Sequence, residues 1–210
     1  RWTVTYGEVG SALTTHQLSG LIVARLEVVN ASMSTYRDDS ELMRFNQSGI
    51  DEPTRLSGDL QVVLGAALLV GEASGGAYDV TVAPLVDLWG FGPKGPAQGV
   101  PPAVKIKAVL DTVGQQHLQL DDTGVVVKSQ PVQVDLSSIA KGFGVDAVAQ
   151  ILEEAGVTDY LAEVGGEMRL AGLSPRGDAW RVAIESPEPE QRSVALAFSA
   201  ADTAGDKLID

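Results

Sequence analysis

The stretch that most constrains this chain is Val132–Val145, where strand-like alternation gives way to a helical period within a few residues. Val132 and Val134 alternate with polar neighbours, as a half-buried strand does. From Ile139 the period changes. Ile139, Phe143, Ala147, Ile151 and Ala155 recur every fourth residue, with Val148 and Leu152 beside them. Gly156 follows, where a left-handed cap would close the helix. Ser137 or Ser138 is placed to cap the first turn, and the amides left free there, with the helix dipole, attract an anion. Asp135 and Lys141 flank that turn. Two readings stay open on these residues. Asp-x-Ser-Ser before a helix is ordinary capping chemistry, and a lysine in a first turn is often simply solvated. The same residues could instead seat a phosphate, a diphosphate or a phosphate-bound metal. They are not a Walker loop, because the G-x-x-x-x-G-K-[ST] order is absent.

The chain is long enough, at 210 residues, for one substantial core with room for a small subdomain. Hydrophobic residues at 44% and charged residues at 20% are those of a folded protein. The formal charge of −13 argues against nucleic acid or an anionic membrane surface as a partner. A nucleotide ligand therefore needs a local cation. With no cysteine, thiol catalysis, disulfides and Cys-ligated metals are excluded. No run of 18 apolar residues is present to span a bilayer. The chain opens at Arg1 in mid-strand and stops at Lys207-Leu208-Ile209-Asp210 without a cap. We therefore expect one domain over residues 1–210 that is incomplete at both ends.

Residues 2–8 read as a strand, and a helix is expected from Thr14 or Thr15 to about Ala31. Its apolar stripe is Leu18, Leu21, Ile22, Arg25, Leu26 and Val29. Ser32–Glu41 is too polar for a buried element, and Ser40 then caps a short helix. Ser57 caps a long one that runs to about Ala73 and ends at Gly75-Gly76. Residues 92–102 form a Pro/Gly-rich loop, followed by a short helix over 103–110. Antiparallel strands are expected near 117–120, 124–128 and 132–135, with Asp121-Asp122-Thr123-Gly124 as a hairpin turn. Further strands fall near 159–164, 167–171, 179–185 and 193–199. Without a βαβ rhythm the fold class is α+β, with mixed, largely antiparallel sheets and packed helices.

Several side chains have two uses. Tyr36, in a polar loop, either covers the core or stacks on a planar ring. Asp79 and Thr81 either cap the helix ahead of Pro84 or hold a ligand. Trp89-Gly90-Phe91-Gly92 reads first as core packing with turn glycines. Glu163-Val164-Gly165-Gly166-Glu167 reads as a tight turn, though paired glycines also let a ligand approach the backbone. His16 and His117 are scattered and read as structural, so no Ser-His-Asp arrangement is supported.

Taken together these segments resemble the ApbE-type FAD:protein FMN transferase family. The resemblance rests on Met33–Tyr36, Asp39–Glu41 and Phe45-Asn46, on Gly76–Thr81 and Pro84–Gly92, on Asp135–Phe143, on Gly165–Glu167 and on Trp180–Pro187. It covers nearly the whole chain in the family order, and D-L-x-x-I-A-K-G and W-G-F-G are its more specific parts. The resemblance implies an ApbE-like fold that binds FAD and, with Mg²⁺, moves FMN onto a Thr hydroxyl of an acceptor protein with release of AMP. It implies that Tyr36 stacks on the isoalloxazine and that Ala77, Tyr78 and Asp79 line the cofactor pocket, Asp79 bonding the adenosine part. Asp135 and Lys141 contact FAD, Lys141 acting in turnover, and the Ser138 carbonyl ligates Mg²⁺.

It also implies Thr-bearing acceptor subunits of membrane redox complexes as partners, and a periplasmic location through an N-terminal lipid anchor on the inner membrane. FAD hydrolysis to FMN and AMP, or FAD binding without chemistry, are the alternatives. One departure stands out. The family's T-S-G-D segment is matched by Thr203-Ala204-Gly205-Asp206, but the H-x-x-D-P-x-T-G and A-D-x-x-x-T segments expected after it, with a His and metal ligands, are not in this sequence.

Overall fold

The computed structural model describes residues 1–7, 13–97, 99–185 and 194–199, with side chains described only as far as Ala183. In chain order the first elements are β1 (Trp2–Tyr6), α1 (Thr15–Met33), α2 (Glu41–Gln47), β2 (Thr54–Arg55) and α3 (Gly58–Ala73). Next come α4 (Ala83–Leu88), α5 (Ala103–Leu110), a 3-10 turn (Gln115–His117), β3 (Leu118–Leu120) and β4 (Val125–Lys128). The last described elements are α6 (Ala140–Glu154), β5 (Tyr160–Val164), β6 (Glu167–Ala171), β7 (Arg181–Glu185) and β8 (Val194–Ser199). The fold is thus α+β, as expected. It divides into two compact units: Arg1–Val23 with Gly144–Asp210, and Ala24–Phe143. Among the described residues no helix is long and apolar enough to cross a membrane.

The first unit carries the antiparallel sheet β1-β5-β6 and the pair β7-β8. Trp2 stands opposite Val164 and Tyr6 opposite Tyr160. Helix α6 buries Val145, Val148, Ala149 and Leu152, one face at helical spacing. The expected every-fourth series is only partly that face: Ala147 is buried, but Ile151 and Ala155 are half-buried. The helix stops as the sequence indicates. Val157 N–H reaches the Leu152 carbonyl at 2.9 Å and Gly156 N–H the Glu153 carbonyl at 3.0 Å. Gly156 takes the required left-handed φ of 79°.

The second unit holds the antiparallel sheet β2-β4-β3, with Thr54 opposite Val126 and Leu118 opposite Lys128. Ser57 caps α3 by accepting from Leu60 N–H. Leu60, Val63, Leu64 and Ala67 form the buried face of α3, the three larger side chains each contributing about 1.5–3 kcal/mol on full burial. Arg25, which the sequence places on the apolar stripe of α1, is ion-paired to Asp59 and lies 5.6 Å from the Phe143 ring. Leu21 departs from the stripe and is exposed.

Residues 132–135 also depart from expectation. Val132 and Val134 are buried, yet the segment joins no ladder and makes one isolated parallel bridge, Gln133 to Val82. Alternation reported its burial correctly and its hydrogen-bond partner not at all.

Candidate functional site

All seven candidate residues, Tyr36, Ala77, Tyr78, Asp79, Asp135, Ser138 and Lys141, lie in the second unit. Two main-chain segments meet there. Asp135 N–H donates to the Val80 carbonyl at 2.8 Å, and the bridge between Val82 and Gln133 continues that contact. Across the same seam the Tyr78 and Ser138 hydroxyls are 2.9 Å apart. Ala77, Tyr78 and Asp79 are thereby carried alongside Asp135 and Ser138. Lys141 stands exposed in the first turn of α6, three residues beyond Ser138.

The turn before α6 is built differently from its sequence reading. The helix begins at Ala140, and the Ser138 hydroxyl faces Tyr78. Asp135 holds the turn instead: its carboxylate, on a residue only 8% exposed, accepts from Ser137 N–H at 2.7 Å. Ile139 and Ala140 N–H both go to the Leu136 carbonyl, at 3.0 and 2.8 Å. Three of the amides expected to await an anion are therefore engaged inside the protein.

Asp79 is not a helix cap either, since α4 starts after Val82 without a side-chain cap. One carboxylate oxygen accepts from Thr81 N–H at 2.7 Å and from the Thr81 hydroxyl at 2.6 Å. The other accepts from Gln115 N–H at 2.9 Å, and the Thr81 oxygen accepts from Gly114 N–H at 2.7 Å. Thr81 is fully buried, so this knot fixes the 112–115 loop against the start of α4. A carboxylate has about four acceptor positions, so Asp79 keeps about one for a ligand.

Tyr36 is 69% exposed and donates its hydroxyl to the Phe91 carbonyl at 3.3 Å. Phe91 and Trp89 are exposed as well, which corrects the reading of the Trp89–Gly92 segment as core packing. Gly90 has φ 78°, and a Cβ there would lie 2.0 Å from the Ala97 amide nitrogen; one on Gly92 would lie 2.0 Å from Asp87 Oδ1. These two close approaches leave room only for glycine at positions 90 and 92, between and beside the exposed rings.

Two residues of this region carried no assigned role in the sequence reading. Asn46 takes both main-chain groups of Val134, and Lys128, almost fully buried in β4, donates to the Phe45 and Asn46 carbonyls at 3.1 and 2.9 Å. Burial pushes the Lys128 ammonium below the ordinary lysine range. A separate open groove of about 1070 Å³ runs along α3 and residues 115–122 and is lined by none of the seven candidates. Gly165-Gly166 is the two-residue turn between β5 and β6, in the other unit. Ser186-Pro187 and Thr203–Asp210 lie outside the described residues.

The fit of Mg²⁺ can be tested on these groups. A hard cation takes about six oxygen ligands, and among the described residues no cluster of three or more His, Cys, Asp or Glu could hold one. The described residues alone do not make a magnesium site.

This α+β unit thus carries a seam at which the Tyr78 and Ser138 hydroxyls meet, with Lys141 one turn beyond, as well as an exposed aromatic strip of Tyr36, Trp89 and Phe91. A family model described as the ApbE family matches residues 1–208, and the chain belongs to that family. It is 45% identical over 179 residues to an FAD:protein FMN transferase of Vibrio cholerae, covering 85% of this chain and 54% of that relative. To one of Haemophilus influenzae it is 43% identical over 190 residues, covering 88% and 55%. The solved flavin transferase ApbE of Vibrio cholerae superposes with a TM-score of 0.87 at 42% identity, over 95% of this chain and 64% of that one. This chain thus spans about half the length of the curated relatives it matches.

Proposed function

We propose that this protein is a flavin transferase that moves the FMN half of FAD onto a Thr hydroxyl of an acceptor protein and releases AMP. The observation that carries this reading is the seam where Val80 meets Asp135 and Tyr78 meets Ser138, with Lys141 one turn away, in a chain of this family. In the reaction the acceptor oxygen forms a bond to the FMN phosphorus, and the bond from that phosphorus to the bridging oxygen breaks, leaving AMP. Such chemistry is governed by positioning and by stabilisation of charge on phosphoryl oxygens.

The residues divide that work. Tyr36, held by the Phe91 carbonyl, offers a face for the isoalloxazine. Ala77 and Tyr78 line the ligand beside it. The remaining acceptor position of Asp79 suits a hydroxyl or amino group of the adenosine. Lys141 faces the diphosphate and stabilises charge as the bridging bond breaks. Asp135, itself anionic, would be repelled by phosphate, so its contact with FAD is to a donor group while it holds the turn. The family resemblance assigns the Ser138 carbonyl to a divalent cation, Mg²⁺, which would neutralise charge at the diphosphate; the described residues do not by themselves complete its ligand shell.

The acceptor is proposed to be a Thr-bearing subunit of a membrane redox complex, met on the periplasmic side by a lipid-anchored enzyme. The test is to incubate the full-length protein with FAD, Mg²⁺ and such a subunit, and to weigh the subunit by mass spectrometry. Added FMN mass with stoichiometric AMP supports transfer. AMP released without an acceptor adduct would make the protein a hydrolase, and FAD bound without AMP release would make it a carrier.

A further inference from the structure

We propose that Asn46 is a positioning residue for the flavin diphosphate, setting the register of Asp135–Ser138 through Val134; the inference rests on the functional reading above. Val134 is fully buried, so its N–H and C=O need partners inside the protein. No strand supplies them. The Asn46 carboxamide does: Nδ2 donates to the Val134 carbonyl at 2.9 Å and Oδ1 accepts from Val134 N–H at 2.7 Å. One side chain thus stands in for a neighbouring β-strand. The next residue, Asp135, is tied on the opposite side to Val80, so the segment is fixed from both sides just before it delivers Ser138 to Tyr78.

Asn46 must itself be held still. It sits in the last turn of α2, where the terminal carbonyls have no helical partner. Lys128 Nζ donates to the carbonyls of Phe45 and of Asn46, and lies 5.3 Å from the Phe45 ring centre. At the other end of α2, Ser40 accepts from Met43 N–H and donates to the Ser34 carbonyl at 2.7 Å. The helix is pinned at both ends, and Asn46 transmits that fixed position to Val134. A slip of one residue at Val134 would turn Asp135 from one face of the segment to the other.

The experiment uses the full-length protein and three variants. Asn46→Leu removes both bonds, Asn46→Asp keeps only the acceptor for Val134 N–H, and Leu42→Ala is a control. Leu42 is buried on the same helix but touches none of these bonds, so it reports loss of stability alone. Below the unfolding temperature, Asn46→Leu is expected to raise the KM for FAD at least tenfold. Amide exchange at Val134–Ser138 should accelerate, and Leu42→Ala should leave both unchanged. If Asn46→Leu does not fold, Asn46→Asp carries the same expectation with a smaller rise.

An unchanged KM in a folded Asn46 variant overturns the proposal, as does a rise equally large in Leu42→Ala. If the wild-type protein transfers no FMN, the functional reading fails. Exchange then decides the positioning claim alone: acceleration confined to Val134–Ser138 upholds it, and uniform or absent acceleration overturns it.

Discussion

At the residue scale the clearest lesson is that exposed rings here are held, not loose. Tyr36 reaches the surface with its hydroxyl on the Phe91 carbonyl, and Phe91 is placed by the turn at Gly90. Tyr36→Ala should weaken FAD binding by about 0.5–1.5 kcal/mol, the usual worth of an aromatic pair, or roughly two- to tenfold in Kd. Because the ring is largely exposed, the urea midpoint should stay put. Flavin fluorescence titration reads the affinity, and an unchanged Kd would remove Tyr36 from the ligand. Gly90→Ala should behave in the opposite way. An added methyl meets backbone, not a yielding side-chain tip, and the left-handed φ adds strain of about 1–3 kcal/mol. The midpoint of urea unfolding should fall accordingly; one that did not move would show that residues 96–97 shift aside freely.

At the scale of elements, one carboxylate reinforces the main-chain turn of the β3–β4 hairpin. One Asp121 oxygen accepts from Thr123 N–H, the Thr123 hydroxyl and Val125 N–H at 2.8–2.9 Å. Led by the Val125 bond, these hold the Asp121 carboxyl below the usual carboxylate range. The folded protein therefore releases this proton more readily than the unfolded chain. The stabilisation is fully present above the unfolded value, near about 4, and is lost as pH falls through the lower folded value. Asp121→Ala should lower stability at pH 7 and make the acid loss of stability shallower, as urea unfolding at neutral and acid pH would show. An identical acid slope in the variant would sink the assignment.

Elements closed by such local chemistry were legible in the sequence. Ser40 and Ser57 cap their helices, Gly156 ends α6, and the Asp121–Gly124 turn joins β3 to β4 as the residues indicate. Long-range polar partners were not. Asn46 binds Val134 from 88 residues away and Lys128 binds Phe45 from 83 away, and both target main-chain groups that carry no residue signature. The outward turn of Trp89 and Phe91 was hidden for a related reason. Aromatic spacing signals apolar surface without saying whether protein or ligand covers it.

For the whole molecule the governing quantity is charge. A chain at −13 presents a repulsive field to a dianionic diphosphate, against which the proposed function sets a contact with Lys141, the turn's amides being engaged by Asp135 and Leu136. These two effects separate by distance. The Debye length falls from about 30 Å at 0.01 M salt to about 8 Å at 0.15 M, so added salt would remove the distant repulsion and spare the contact proposed for Lys141. FAD association should therefore speed up severalfold over that range, with little change in dissociation. Lys141→Ala should show the reverse division, faster dissociation with the same salt trend in association. Stopped-flow flavin fluorescence measures both constants. An association rate that falls with salt would show that a local positive field, not the net charge, steers the ligand, and would require a cationic surface around the site that Lys141 alone does not provide.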